Sequence, residues 1–100
     1  MFLYNVTVGV DSDIEMEWLH WMKSKHIPDV LGTGMFVEYK IYKVLHDNND
    51  GTVSYSTQYF ANSLEMVVQY LEVFGPALIE EHRQKFLNKH VAFSTLLEEV

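Results

Sequence analysis

The sequence has no cysteine. That excludes disulfides, zinc–thiolate centres, iron–sulfur clusters and thiol nucleophiles. Proline occurs twice and glycine five times, so no flexible linker or low-complexity tract divides the chain. Basic residues are scarce: 7 Lys and Arg stand against 14 Asp and Glu, a formal net charge of −7. Such a surface repels phosphate backbones, and no nucleic-acid partner is expected. No stretch approaches the about 20 apolar residues of a membrane span. The apolar start Met1–Tyr4 is too short for a signal peptide. The expectation is a cytoplasmic chain without a membrane partner.

What is present has ordinary globular proportions, with 48% hydrophobic and 21% charged residues. At 100 residues the length suits one domain over 1–100 with its own core.

Alternation and turn residues divide the chain into six elements. Phe2, Tyr4, Val6, Val8 and Val10 share one parity, the pattern of a strand with one apolar face. Ser12 and Glu15 have capping-box spacing ahead of a helix whose apolar stripe is Ile14, Trp18, Trp21 and Met22. Pro28 disfavours helical geometry at Ile27, which predicts that this helix ends near His26. Met35 to His46 reads as a second strand, with Met35, Val37, Tyr39 and Ile41 on the core side. Asp47-Asn48-Asn49-Asp50-Gly51 signals a turn into a third strand, Thr52 to Phe60, and so a hairpin. Asn62 and Glu65 repeat the capping spacing before a helix running from Leu64 to Phe86, with Gly75-Pro76 expected to break or bend it. Lys89 to Glu98 closes the chain as a strand with Val91, Phe93, Thr95 and Leu97 toward the helices.

The order β-α-β-β-α-β is that of the split βαβ plan. It predicts an α+β, ferredoxin-like fold: one four-stranded antiparallel sheet with two helices on one face. Right-handed crossovers place the first and third strands centrally. The remaining parity, which includes Phe36, Tyr42, Val44, Phe60, Ala92, Ser94 and Leu96, is poor in charge and rich in apolar groups. It is expected to be buried by a second copy, giving a homodimer through the sheet face.

Known catalytic and metal motifs are few. The five histidines lack the spacing of H-E-x-x-H, and Glu17-x-x-His20 is a single copy of a pattern that metal bundles use in pairs. No metal and no cofactor are expected. There is no G-x-S-x-G elbow, and Gly32-Thr33-Gly34 is too short to cradle a phosphate. His82 falls on the apolar stripe of the second helix, where an amphipathic core-edge residue with its nitrogen satisfied by a neighbour is the favoured reading. His26, at a helix end, would be favoured in its charged form.

Trp21-Met22-Lys23-Ser24-Lys25-His26-Ile27-Pro28-Asp29-Val30-Leu31 resembles the tryptophan-histidine-proline segment of EthD-like proteins. These belong to the dimeric α+β barrel superfamily, with antibiotic-biosynthesis monooxygenases and muconolactone isomerases. The whole chain resembles a family of short bacterial proteins of unassigned function within that superfamily. The matching pieces are Tyr4-Asn5-Val6-Thr7, His26-Ile27-Pro28, Gln58-Tyr59 and Ala92-Phe93. The resemblance implies a pocket between sheet and helices, with His26 in its wall. The polar partners used by the superfamily's enzymes have no counterpart here.

Strand parity turns Tyr4, Tyr39, Tyr55 and Tyr59 to the helix side. With Trp18, His26 and His82 they are expected to form an aromatic cleft for a small apolar or aromatic molecule. The ligand-binding candidates are Trp18, His26, Tyr39, Tyr59 and His82. The alternative is a cofactor-free monooxygenase, decarboxylase or isomerase with His26 as acid or base. A third reading is a partner-binding module that uses the sheet face.

Overall fold

A computed structural model of the chain describes residues 1–45 and 50–100. Strands β1 (Phe2–Asp11), β2 (Glu38–Lys43), β3 (Thr52–Ala61) and β4 (His90–Glu98) form one antiparallel sheet in the order β2-β3-β1-β4. The first and third strands are central, as the crossover rule requires. Helices α1 (Glu15–Trp21) and α2 (Ile27–Gly32) follow β1; α3 (Leu64–Gln69) and α4 (Gly75–Lys85) follow β3. The core lies between this helical layer and one sheet face, with Tyr4, Val8, Val10, Tyr55 and Tyr59 packed on Trp18, Met22, Ile27, Val30, Val67 and Tyr70.

The helical run continues past Pro28, against expectation, whereas at Gly75-Pro76 it is interrupted as expected, with Pro76 in the first turn of a second α segment. A π turn, Met22–His26, joins α1 to α2, and a second, Tyr70–Phe74, joins α3 to α4. Each ends two residues before a proline, Pro28 or Pro76, which then sits in the first turn of the next α segment. The Ile27 amide bonds back to the Met22 carbonyl and the Gly75 amide to that of Tyr70, five residues away in each case. This wider turn loosens the ladder where proline has no amide to give and its ring needs room. The expected helix end at His26 is therefore wrong, and His26 lies inside a continuous helical run.

On the helical run from α3 to α4, Val67, Tyr70 and His82 are buried, whereas Leu64, Val68 and Leu71 are exposed. Gly75 packs so closely on the Tyr70 ring and carbonyl that a Cβ there would lie 3.1 Å from the carbonyl oxygen.

Both capping boxes fail in detail. Ser12 makes no capping bond to α1, and Glu15 is drawn to the sheet instead, accepting from the Tyr55 hydroxyl at 2.6 Å and pairing with Lys43 at 3.0 Å. Burial, reinforced by that carboxylate, pushes the Tyr55 hydroxyl up to about 12. The cap of α3 is Ser63 rather than Asn62; its hydroxyl accepts from the Met66 amide at 3.3 Å. β2 begins at Glu38, not Met35, because the chain bends at Val37. Phe36 is consequently core, stacked among Tyr4, Tyr59 and Tyr70, and Val37 is exposed. The expected strand end at His46 and the turn residues 47–49 lie outside the described residues. Asp50 and Gly51 lie within them; Gly51 has φ +78, and Asp50 caps the start of β3 through the Thr52 amide and hydroxyl.

The largest correction concerns β4. Leu96, Ser94 and Ala92 pair with Tyr4, Val6 and Val8, and paired residues share a face. Ala92, Ser94 and Leu96 therefore face the helices, while Val91, Phe93, Thr95 and Leu97 lie on the outer face with Leu3, Thr7, Tyr42 and Phe60. Val91 packs beside Gly9 there, 3.3 Å from where a Cβ would sit. Apolar alternation had marked one parity of β4 as core, but the register with β1 sets the face. As an edge strand, β4 is exposed along both of its faces from Val91 onward.

Candidate functional site

Because α4 does not cover β4, a cavity of about 610 Å³ opens between them. That is within the roughly 300–1,000 Å³ of small-molecule sites. Its floor is the helix side of β1, β3 and β4, through Tyr4, Val8, Thr57, Tyr59, Ala92 and Ser94. Its roof comes from the two π turns, which bring Met22, His26 and Tyr70, and from α4, which brings Ile79, His82 and Arg83. No Asp or Glu among the described residues lines it.

Three buried side-chain atoms among the described residues have no hydrogen-bond partner: His26 Nδ1, Thr57 Oγ1 and Tyr59 Oη. All three residues line this cavity. Leaving such groups unpaired costs about 1–3 kcal/mol each, so their collection in one place is informative. A second hollow, of about 590 Å³ beside Phe2 and residues 62–65, has none of these atoms in its wall.

The histidines are arranged by their neighbours. Trp18 lies fully buried behind His82, and its indole N–H donates to His82 Nε2 at 2.9 Å. The proton of the neutral His82 ring must then sit on Nδ1. Burial, with His26 and then His90 nearby, lowers the His82 pKa to about 3. The His26 ring lies 5.7 Å from that of His82 and 5.4 Å from that of Trp21. Burial lowers its pKa too, opposed in part by Glu81 and Asp29. The charged His26 expected at a helix end is therefore replaced by a neutral one, because the residue is buried within the helical run. His90 Nδ1–H donates to the Phe86 carbonyl at 2.7 Å.

Burial likewise raises the hydroxyls of Tyr59, Tyr70 and Tyr4, so they remain protonated donors. Among the described residues the only ordinarily charged wall residue is Arg83, which is exposed and chelated by Glu80 at 2.8 and 2.9 Å. Among the described residues no group of three or more His, Asp or Glu side chains is placed to hold a metal. No helix among them is long and apolar enough to cross a membrane.

Of the residues singled out from sequence, His26, Tyr59, His82 and Tyr4 meet at the cavity. Trp18 stands behind the wall and acts on it through His82. Tyr39 does not reach the wall, and Tyr55 is engaged by Glu15. Sequence reasoning missed Thr57 and Tyr70. Thr57 had a readable signal, being the one hydroxyl-bearing aliphatic residue in the parity Val53, Tyr55, Thr57, Tyr59. Tyr70 also had one, since it lies three residues after Val67 and so on the same helix face.

Comparison with solved structures identifies the fold. An EthD family protein from Bacillus halodurans aligns over 100% of both chains at 12% identity, with a TM-score of 0.68. A dimeric ferredoxin-like protein from an uncultured marine organism aligns over 100% of this chain and 95% of its own, at 13% identity and a TM-score of 0.72. SnoaB, a cofactor-independent oxygenase from Streptomyces nogalater, aligns over 98% and 92% at 9% identity, with a TM-score of 0.61. These likenesses establish a ferredoxin-like fold. No curated protein sequence matches the chain. Residues 1–100 match the family Domain of unknown function (DUF4286), and the chain belongs to that family.

Proposed function

We propose that this chain is a homodimeric binding protein for a small apolar or aromatic molecule, held in the cavity between β4 and α4. The observation that carries the reading is that His26 Nδ1, Thr57 Oγ1 and Tyr59 Oη, the buried polar atoms without partners among the described residues, all belong to its wall. A ligand supplies what the fold withholds from them. The test is a thermal-shift screen of small aromatic molecules against the wild type and Ala92→Trp, which fills the cavity from an exposed strand position. Compounds that raise the melting temperature of the wild type and not of the variant are expected. A blank screen, or hits that stabilise both equally, contradicts the reading.

The dimer forms through the outer sheet face. Its support is the exposed large apolar side chains on that face: Phe93 is 65% and Val91 71% exposed, and Leu97 and Tyr42 are exposed as well. Exposed patches of this kind on a sheet are normally covered. The likeness to a dimeric ferredoxin-like protein agrees. Phe93→Asp with Leu97→Asp puts charge into that contact and should yield a monomer by sedimentation at micromolar concentration. A wild-type monomer under those conditions contradicts the dimer.

One observation favours a second reading, cofactor-free turnover with His26 as base. Its Nδ1 is unpaired and its ring is held neutral by burial, the state a base needs. Under that reading His26→Asn abolishes turnover of a screened compound while preserving its binding. Under the binding reading no compound is converted by either protein.

A further inference from the structure

The hydrogen-bonding inventory of the wall specifies more than apolar shape. The Trp18 indole occupies His82 Nε2, which leaves Nδ1–H as the donor of that ring. Tyr59 and Thr57 each bring a buried hydroxyl with nothing to bond, and His26 brings one unpaired ring nitrogen. Among the described residues the wall is therefore rich in neutral donors and holds no acid. Nor does it hold a free cation, because the Arg83 guanidinium is exposed and paired with Glu80. Among the described residues a carboxylate buried in the cavity would find no buried counter-ion, and a buried ammonium no carboxylate; either costs several kcal/mol to desolvate unpaired.

We propose that the cavity selects an uncharged aromatic molecule bearing a carbonyl oxygen and a hydroxyl, and rejects carboxylate and ammonium analogues of the same shape. The carbonyl accepts from Tyr59, Thr57 or His82. The ligand hydroxyl supplies a group for the unpaired His26 nitrogen. The rings of Tyr4, Tyr59 and Tyr70, mutually 5.8 to 6.2 Å apart where they touch Tyr4, form an aromatic side against which a flat molecule lies. Trp18 is a positioning residue in this scheme, since it acts on the ligand through the His82 tautomer.

The inference rests on the reading of the cavity as a binding site, and its test separates the two. Calorimetry compares three 2,6-disubstituted naphthalenes that share the hydroxyl: 6-acetyl-2-naphthol, 6-hydroxy-2-naphthoate and (6-hydroxy-2-naphthyl)methylammonium, at pH 7.5. The neutral probe is expected to bind the wild type at least tenfold more tightly than either ion. In Thr57→Val/Tyr59→Phe that preference should fall below threefold, with an unchanged circular dichroism spectrum. Equal or tighter binding of an ion, or failure of all three probes, overturns the selectivity. So does a preference that survives in the double variant. If an ion wins and Ala92→Trp abolishes its binding, the selectivity alone fails; if the wider aromatic screen is also blank, the binding site fails with it.

Discussion

Lowering the pH from 7 to 5 is expected to cost the fold about 2 kcal/mol through His82 alone. The folded ring stays neutral down to about pH 3, whereas its ordinary value is 6.5. Between those values the unfolded chain binds a proton that the folded chain refuses. Stability contributed by the neutral ring is complete above 6.5 and is lost as pH falls, at up to about 1.4 kcal/mol per pH unit. His26, lowered in the same direction by burial, steepens the slope. The ion-paired or hydrogen-bonded carboxylates Glu80, Glu15 and Asp50 are also lowered. Their contribution is present above their ordinary values, 4.5 for the glutamates and 3.8 for Asp50, and is lost only below them. The histidine window is thus separable from theirs. Urea denaturation at half-unit intervals should show the decline beginning near 6.5 and should show it weakened by about one proton in His82→Gln. A flat profile from 7 to 5, or an unchanged slope in the variant, contradicts the buried neutral histidine.

Trp18→Phe should cost about 3 kcal/mol, near the upper end of ordinary point substitutions. Trp18 is fully buried, so a smaller ring leaves a void. The change also strands His82 Nε2 without its indole donor, a further cost of about 1–3 kcal/mol. Removing the donor raises the His82 pKa, because the donor favours the neutral ring. Trp21→Phe is the comparison: Trp21 is only partly buried and packs on His26, His82 and Phe86 through its rings. It should cost less than half as much. Equal losses by urea denaturation contradict the role assigned to the Trp18 hydrogen bond.

Much of the architecture was legible because strand alternation is local. Tyr4, Val8 and Val10 fall on the buried side of β1, and Tyr55 and Tyr59 on that of β3, as their parity predicted. What escaped was set by nonlocal packing. Phe36 entered the core because the chain bends before Glu38, and nothing in its own parity shows that. Val91 and Phe93 look like core residues, yet pairing with Gly9 and Thr7 turns them outward. A proline normally announces a helix end; Pro28 is instead carried through because it follows a π turn. His26 and His82 were legible as candidates and both line the cavity, but their lowered pKa depends on burial, and the His82 tautomer on Trp18, 64 positions away in the chain.

The central claim is that the cavity between β4 and α4 binds a molecule through its unpaired polar atoms. A crystal structure of the protein saturated with 6-acetyl-2-naphthol tests it most directly. The account predicts the naphthalene ring in the cavity beside Tyr4 and Tyr70, with its oxygens within hydrogen-bond distance of at least two of His26 Nδ1, Thr57 Oγ1 and Tyr59 Oη. A compound seated elsewhere, or a cavity holding only water at saturation, would contradict it.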